Sequence, residues 1–252
     1  MKKINIKELR DIAQYKKEKK IWRVFSIYFT YIFVKIGLTA NQVTLFGFLV
    51  GVLGGILLLI GGFKYWFVGI ICFLLSYMLD YSDGEVARFN REVSAEGEFL
   101  DGTLHSGFMN SYFIISAAVG LYRELDSIFP LVFSLAMLAF LYINKGIEIF
   151  LIRRSLFPIS TSELSGNMKR TIKLRIFMGT QKYILDEPVR VVWLGLGTLV
   201  DYVASTSAIN PIFINWCINF RLLWFGWYTA IFLMSIIIKF QDTRRMAIGV
   251  DH

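Results

Sequence analysis

The chain has 252 residues, of which 56% are hydrophobic, and a mean hydropathy of +0.55. That apolar content is above what an ordinary soluble domain carries and points to an all-α, polytopic membrane protein. The formal net charge is +8, but in such a chain the placement of basic residues says more than their total, and no nucleic-acid partner is expected.

In chain order, residues 2–20 read as a basic cytoplasmic helix lying on anionic headgroups, with a solvated charged tail as the alternative. Their charge precedes any apolar run, so no cleavable signal peptide is expected. Residues 21–37 are apolar but short for a span, carry Arg23 and Lys35 near their ends, and include Ser26 and Thr30. They read as an interfacial amphipathic helix rather than a true span. Six further segments are long or apolar enough to cross a bilayer as helices: 42–62, 65–81, 99–122, 128–152, 189–209 and 220–239. The first holds Gly47, Gly51, Gly54 and Gly55. Small residues at this spacing let a neighbouring helix approach closely; a part in ligand access is the minor alternative. Cys72 and Cys217 both lie in apolar surroundings and read as buried spacers rather than a disulfide. The long connection 153–187 is polar and basic and is expected to hold a short cytoplasmic helix. The organisation is therefore 1–38 as basic and interfacial helices, 39–240 as a six-helix transmembrane catalytic domain, and 241–252 as a cytoplasmic tail.

Basic residues orient the bundle. Residues 1–35 carry ten Lys and Arg, and 153–190 carry eight more. Lys239, Arg244 and Arg245 follow the last span, and Arg88 and Arg91 follow the second. The other connections show only Lys64, Arg123 and Arg221. The asymmetry places both termini and the turn after the second span in the cytoplasm, with the plasma (inner) membrane of a prokaryote as the expected location.

The second and third spans meet at the most informative stretch of the chain. It runs Leu79-Asp80-Tyr81-Ser82-Asp83-Gly84-Glu85-Val86-Ala87-Arg88, then Gly97-Glu98-Phe99-Leu100-Asp101 and His105. Ionisable groups at the edge of a span are costly and usually functional. On a helix, Asp80 and Asp83 share a face, continued by Ala87, and Gly97, Asp101 and His105 share another. Two adjacent helices can therefore present Asp80, Asp83, Asp101 and His105 to one cavity. Clustered carboxylates repel unless cations lie between them. Hard oxygen ligands favour magnesium or manganese. Such a site suits phosphoryl transfer, where phosphate charge must be neutralised and attacker and leaving group aligned. Gly84, Ala87 and Gly97 leave room for a nucleotide against the helix backbone, and Arg88 can pair with a phosphate or brace the carboxylates. The competing reading is a purely structural ion-pair network at a helix end.

The pattern D-x-x-D-G-x-x-A-R, G-x-x-x-D and a polar residue four further on resembles the signature of the CDP-alcohol phosphotransferase family. The resemblance implies six transmembrane helices and transfer of a phospho-alcohol group from a CDP-alcohol, often CDP-diacylglycerol, to a second alcohol with release of CMP. It implies Asp80, Asp83 and Asp101 as metal ligands and Gly84, Ala87, Arg88 and Gly97 as neighbours of the CMP moiety. Thr39-Ala40-Asn41-Gln42-Val43-Thr44 is similar to the family's Thr-Pro-Asn-x-x-Thr, with Ala40 in place of proline. Asn41 and Thr44 then become candidates for the substrate phosphates, helix capping being the alternative.

His105 stands where the family has a fourth Asp, a metal ligand and base. Histidine is a competent general base near neutral pH and also a metal ligand, although a neutral one. Three outcomes stay open: an active enzyme with His105 as base, one with an altered metal demand, or an impaired relative that binds nucleotide or lipid without turnover. A transporter is disfavoured because the acids gather at one membrane face rather than at the midplane. Lys145 and Glu148 either pair or line the acceptor pocket. The stretch Arg153, Arg154, Lys169, Arg170, Lys173 and Arg175 can hold a phosphorylated acceptor, set topology or bind headgroups. Asp201 has no evident partner. The expected partners are a CDP-linked lipid donor, an alcohol acceptor and membrane lipids, and close helix packing permits a homodimer.

Overall fold

Hydrocarbon offers no partner to a backbone N–H or C=O, so apolar stretches of this length resolve as helices. The computed structural model describes residues 20–156, 187–206 and 220–248, and every regular element among them is helical. The elements are α1 (Lys20–Ile36), α2 (Ala40–Ile60), α3 (Phe63–Asn90), α4 (Ala95–Asp101), a π-helical segment (Gly102–Met109), α5 (Asn110–Leu125), α6 (Phe129–Leu156), α7 (Glu187–Thr206) and α8 (Phe220–Ile248). Helices α2 and α3 and the Phe220–Ile237 part of α8 are long and apolar enough to cross a membrane. Shorter apolar helical stretches are Val24–Ile36 and Phe129–Ile143. Three of the six expected spans therefore meet the requirement of length and composition among the described residues. The basic segment 2–19, the bulk of the connection 153–187, Cys217 and the side chain of Glu148 lie outside what is described.

The chain divides into two compact units, Met1–Gly120 and Leu121–His252, with the boundary inside α5. In the first unit, α2 packs along α3, and α1 packs on α3 as well. Phe33, Val43, Leu79 and Val86 form a buried core joining these three helices. The approach of α2 to α3 depends on glycine. A Cβ on Gly54 would lie 2.9 Å from the Gly69 carbonyl, and one on Gly69 would lie 2.8 Å from the Gly54 carbonyl, so backbone touches backbone. Gly61 and Gly62, at φ of +82° and +84°, make the tight turn between the two helices. The outer face of α2 is the stripe Leu45, Leu49, Leu53, Ile56 and Ile60, all exposed, whereas Ser26, Thr30, Thr44, Ser76, Ser82, Asp83, Glu85 and His105 are buried. Apolar outside and polar inside is the arrangement that suits a lipid solvent.

Helix α3 runs to Asn90, well past the expected end of the second span at residue 81. The apolar window stops where the carboxylates begin, but the backbone ladder continues through them. Arg91 closes the helix in the left-handed conformation (φ +60°), donating its N–H to the carbonyls of Ala87 and Arg88. Four residues later the chain re-enters helix, with the Ser94 hydroxyl accepting from the Gly97 N–H at 3.0 Å. This short reversal turns α4 and the π-helical segment back towards the acidic part of α3.

In the second unit, α8 packs on α6 and α7. Asp201, left unpaired by the sequence reading, caps α8: its carboxylate accepts from the N–H groups of Phe220 (2.8 Å) and Arg221 (3.3 Å). It also pairs with Arg221 Nε at 2.8 Å, while Glu124 holds Arg221 NH1 at 2.7 Å. Arg221 is buried between these two acids. Trp224, Phe225 and Tyr228 build the adjoining aromatic core.

Candidate metal and nucleotide site

The helical spacing of three and four residues brings the expected side chains together. Asp80 and Asp83 of α3, Asp101 at the end of α4 and His105 in the π-helical segment each offer a ligand atom, and these atoms all lie within 4.8 Å of one another. His105 Nδ1 is 3.2 Å from Asp80 Oδ1 and 3.7 Å from Asp101 Oδ1. The site is graded from inside to outside. Asp83 and His105 are buried, Asp80 is partly covered, and the Asp101 side chain is 48% exposed, which opens the cluster on the α4 side.

Asp83 is held from a third helix. The Thr44 hydroxyl of α2 donates to Asp83 Oδ2 at 2.6 Å, the short length of a charge-assisted bond. Thr44 also lies 3.1 Å from the Ala40 carbonyl one turn earlier. The helix cap is supplied elsewhere: the Thr39 hydroxyl accepts from the Gln42 N–H, and the Gln42 side chain accepts from the Thr39 N–H. Neither Asn41 nor Thr44 supplies the cap. Asn41 is exposed, and its Oδ1 lies 3.4 Å from where a Cβ on Gly97 would stand. Arg88 folds back over Gly84, its NH1 3.4 Å from the position of a Gly84 Cβ. Asn41 is thus paired with Gly97, and Arg88 with Gly84, and Ala87 is half-buried on α3.

His105 is 2% exposed, and neither ring nitrogen has an aligned hydrogen bond among the described residues. Its Nδ1 faces the acids. Its Nε2 turns to α2, 3.5 Å from where a Cβ on Gly47 would stand, and that Cβ would also lie 3.1 Å from Leu79 Cβ. Gly47 therefore lets α2 come close to α3 at Leu79, with the imidazole in ordinary contact beside it. The segment carrying the imidazole is π-helical, a wider turn that recurs at functional sites.

Three carboxylates and an imidazole so close together could hold a metal ion. The donor set fits a hard divalent cation, since oxygen donors dominate. The buried imidazole presenting Nδ1 without an aligned partner is consistent with a ligand-accepting position. The sequence reading missed three features in and behind this site. They are the Thr44–Asp83 bond, the contact of His105 with α2 at Gly47, and, on the far side of α3, a buried Glu85 whose partners are Ser26 and Thr30 of α1. The signals available were Thr44 in the Thr39–Thr44 motif, Gly47 among the close-packing glycines, and the Ser26/Thr30 spacing on a largely apolar helix.

Comparison with curated proteins finds no match for this chain. The sequence pattern described as CDP-alcohol phosphatidyltransferase matches residues 37–232, a range that contains the whole acidic cluster. The chain belongs to the CDP-alcohol phosphatidyltransferase family, whose reaction transfers a phosphate-linked group from a CDP-alcohol.

Proposed function

We propose that this protein is an integral-membrane transferase that moves a substituted phosphate from a CDP-alcohol, with CDP-diacylglycerol as donor, to an alcohol acceptor, releasing CMP in phospholipid or related conjugate synthesis. The observation that carries this reading is the meeting of Asp80, Asp83, Asp101 and His105 within 4.8 Å, on helices of a membrane-family chain. The distribution of Lys and Arg supports a site that faces the cytoplasm, where nucleotide-linked donors are available.

Asp80, Asp83 and Asp101, with His105, would hold magnesium or manganese. Such a cation, when bound, neutralises charge on the phosphate oxygens. The rest is the work of the chain's own groups. Thr44 fixes one oxygen of Asp83, leaving the other to the cluster. Gly84, Ala87 and Gly97 let the cytidine and ribose approach the helix backbone. Arg88, folded over Gly84, offers guanidinium N–H groups to the donor phosphates. Asn41 supplies a hydrogen-bonding amide beside Gly97, and Thr44 lies one turn further along α2.

With Nε2 turned to Gly47, Nδ1 is the ring atom that His105 presents to the acids. Where the three carboxylates alone hold the cation, Nδ1 would take the acceptor's hydroxyl proton as the acceptor oxygen forms its bond to phosphorus and the bond to CMP breaks. Proton acceptance and metal ligation compete for that one lone pair. The second reading, a relative that binds nucleotide without turnover, draws on this conflict and on the burial of His105.

Purified protein supplied with CDP-diacylglycerol, a panel of alcohol and phosphorylated acceptors, and magnesium or manganese should release CMP, and Asp101→Asn should abolish the release. His105→Asp should keep activity and shift the preference towards magnesium. CMP binding without turnover under all these conditions contradicts the transferase and supports the second reading.

A further inference from the structure

Glu85 sits between the second metal-ligand candidate and Arg88, yet it faces the other way. At about 100° per residue, Glu85 lies roughly 200° around the helix from Asp83 and 140° from Asp80. It is 1% exposed. A buried carboxylate is expensive in a membrane protein, and an apolar side chain would fill the same space at lower cost. Both of its oxygens are engaged by α1. Ser26 donates to Oε1 at 3.0 Å and Thr30 donates to Oε2 at 2.6 Å. A third bond runs the opposite way, from the Ser82 hydroxyl to the Ser26 carbonyl at 3.1 Å. Ser26 and Thr30 are themselves fully buried, whereas Val24, Phe25, Tyr28, Ile32 and Ile36 are exposed on α1.

We propose that Glu85 is a positioning residue. Through Ser26 and Thr30 of the N-terminal helix, it sets the rotation of α3 about its own axis and so aims Asp80 and Asp83 into the cation cluster. This inference rests on the metal-dependent reading above. The three bonds grip α3 at Ser82 and Glu85, the two positions that bracket Asp83 and Gly84. Apolar packing alone tolerates small rotations of a helix, because dispersion is non-directional. Hydrogen bonds to both carboxylate oxygens are directional and do not. α1 is thereby part of the metal site's scaffold, with its polar stripe towards α3 and its apolar side outward.

The test uses the full-length protein in lipid nanodiscs, with Mn²⁺ binding followed by electron paramagnetic resonance and thermal unfolding measured in parallel. Glu85→Gln and Ser26→Ala/Thr30→Val should each weaken Mn²⁺ binding about tenfold or more, the range for outer partners of metal ligands. They should lower kcat while the KM for CDP-diacylglycerol stays within about twofold. Thr30→Ser, which keeps the hydroxyl, should bind Mn²⁺ like the parent. Folded Glu85→Gln protein with unchanged Mn²⁺ affinity overturns the proposal. Should Glu85→Gln fail to fold, Thr30→Val alone decides, with weaker Mn²⁺ binding expected and unchanged binding overturning it. Asp83→Asn separates the two levels of inference. If the parent binds Mn²⁺ and Asp83→Asn loses it while Glu85→Gln does not, only the positioning role falls. If the parent binds none, the metal-dependent reading falls with it.

Discussion

Replacing Thr44 by Val removes one hydroxyl and keeps the side-chain shape, so it isolates the bond to Asp83. That bond is 2.6 Å long, and Thr44 and Asp83 are both buried. A hydrogen bond to a charged group is worth about 1.5–3 kcal/mol. Two effects oppose each other when it is lost. The carboxylate becomes a slightly stronger donor, which favours the cation. It also loses its fixed orientation and carries an unsatisfied buried oxygen, which disfavours it. Mutations of such outer partners typically weaken metal affinity or activity about 10- to 100-fold, so the loss of orientation dominates. Thr44→Val should therefore raise the cation concentration for half-maximal CMP release by about 10- to 100-fold, with the KM for the CDP-alcohol nearly unchanged, and Thr44→Ser should restore the parent value. The assay is CMP release titrated with manganese at saturating donor, repeated with donor varied at saturating manganese. A raised donor KM with an unmoved manganese dependence would refute the reasoning, because Thr44 would then serve the substrate phosphates and not Asp83.

Gly47→Ala brings a methyl group to 3.1 Å from Leu79 Cβ and 3.5 Å from His105 Nε2. It should lower stability by about 1–3 kcal/mol and lower CMP release, as read by thermal unfolding in detergent and turnover. Arg221→Met leaves Glu124 and Asp201 without their shared cation and α8 with a disturbed cap. Removing one partner of a buried pair typically costs about 3–5 kcal/mol, so this variant should unfold at a clearly lower temperature. Chelation with EDTA should abolish CMP release and added manganese should restore it. Activity that survives exhaustive chelation contradicts the proposed chemistry.

The acidic cluster was legible because its members obey helical spacing within each segment. Asp80 with Asp83, and Gly97 with Asp101 and His105, share faces whatever the neighbouring helices do. What the sequence hides is contact across helices. Thr44 and Asp83 are separated by 39 positions, and Ser26 and Glu85 by 59. Nothing in local periodicity links such pairs. The burial of Glu85 was obscured because charge next to Asp83 and Arg88 reads as one acidic turn. The second span was ended at residue 81, short of the end of the helix that carries Asp83 and Ala87, for a related reason. Hydropathy marks where lipid-facing residues stop, whereas the helix continues as long as protein covers it. The role of Asp201 needed the position of α8, which connection length alone does not give.

The central claim is that Asp80, Asp83, Asp101 and His105 share a divalent cation beside a cytidine nucleotide. An anomalous difference map from crystals grown with manganese and CMP tests it directly. The account predicts a manganese peak inside the cluster, with its nearest protein atoms from these side chains and CMP on the Gly84–Gly97 side. A map with bound CMP but no peak among the four side chains would contradict it.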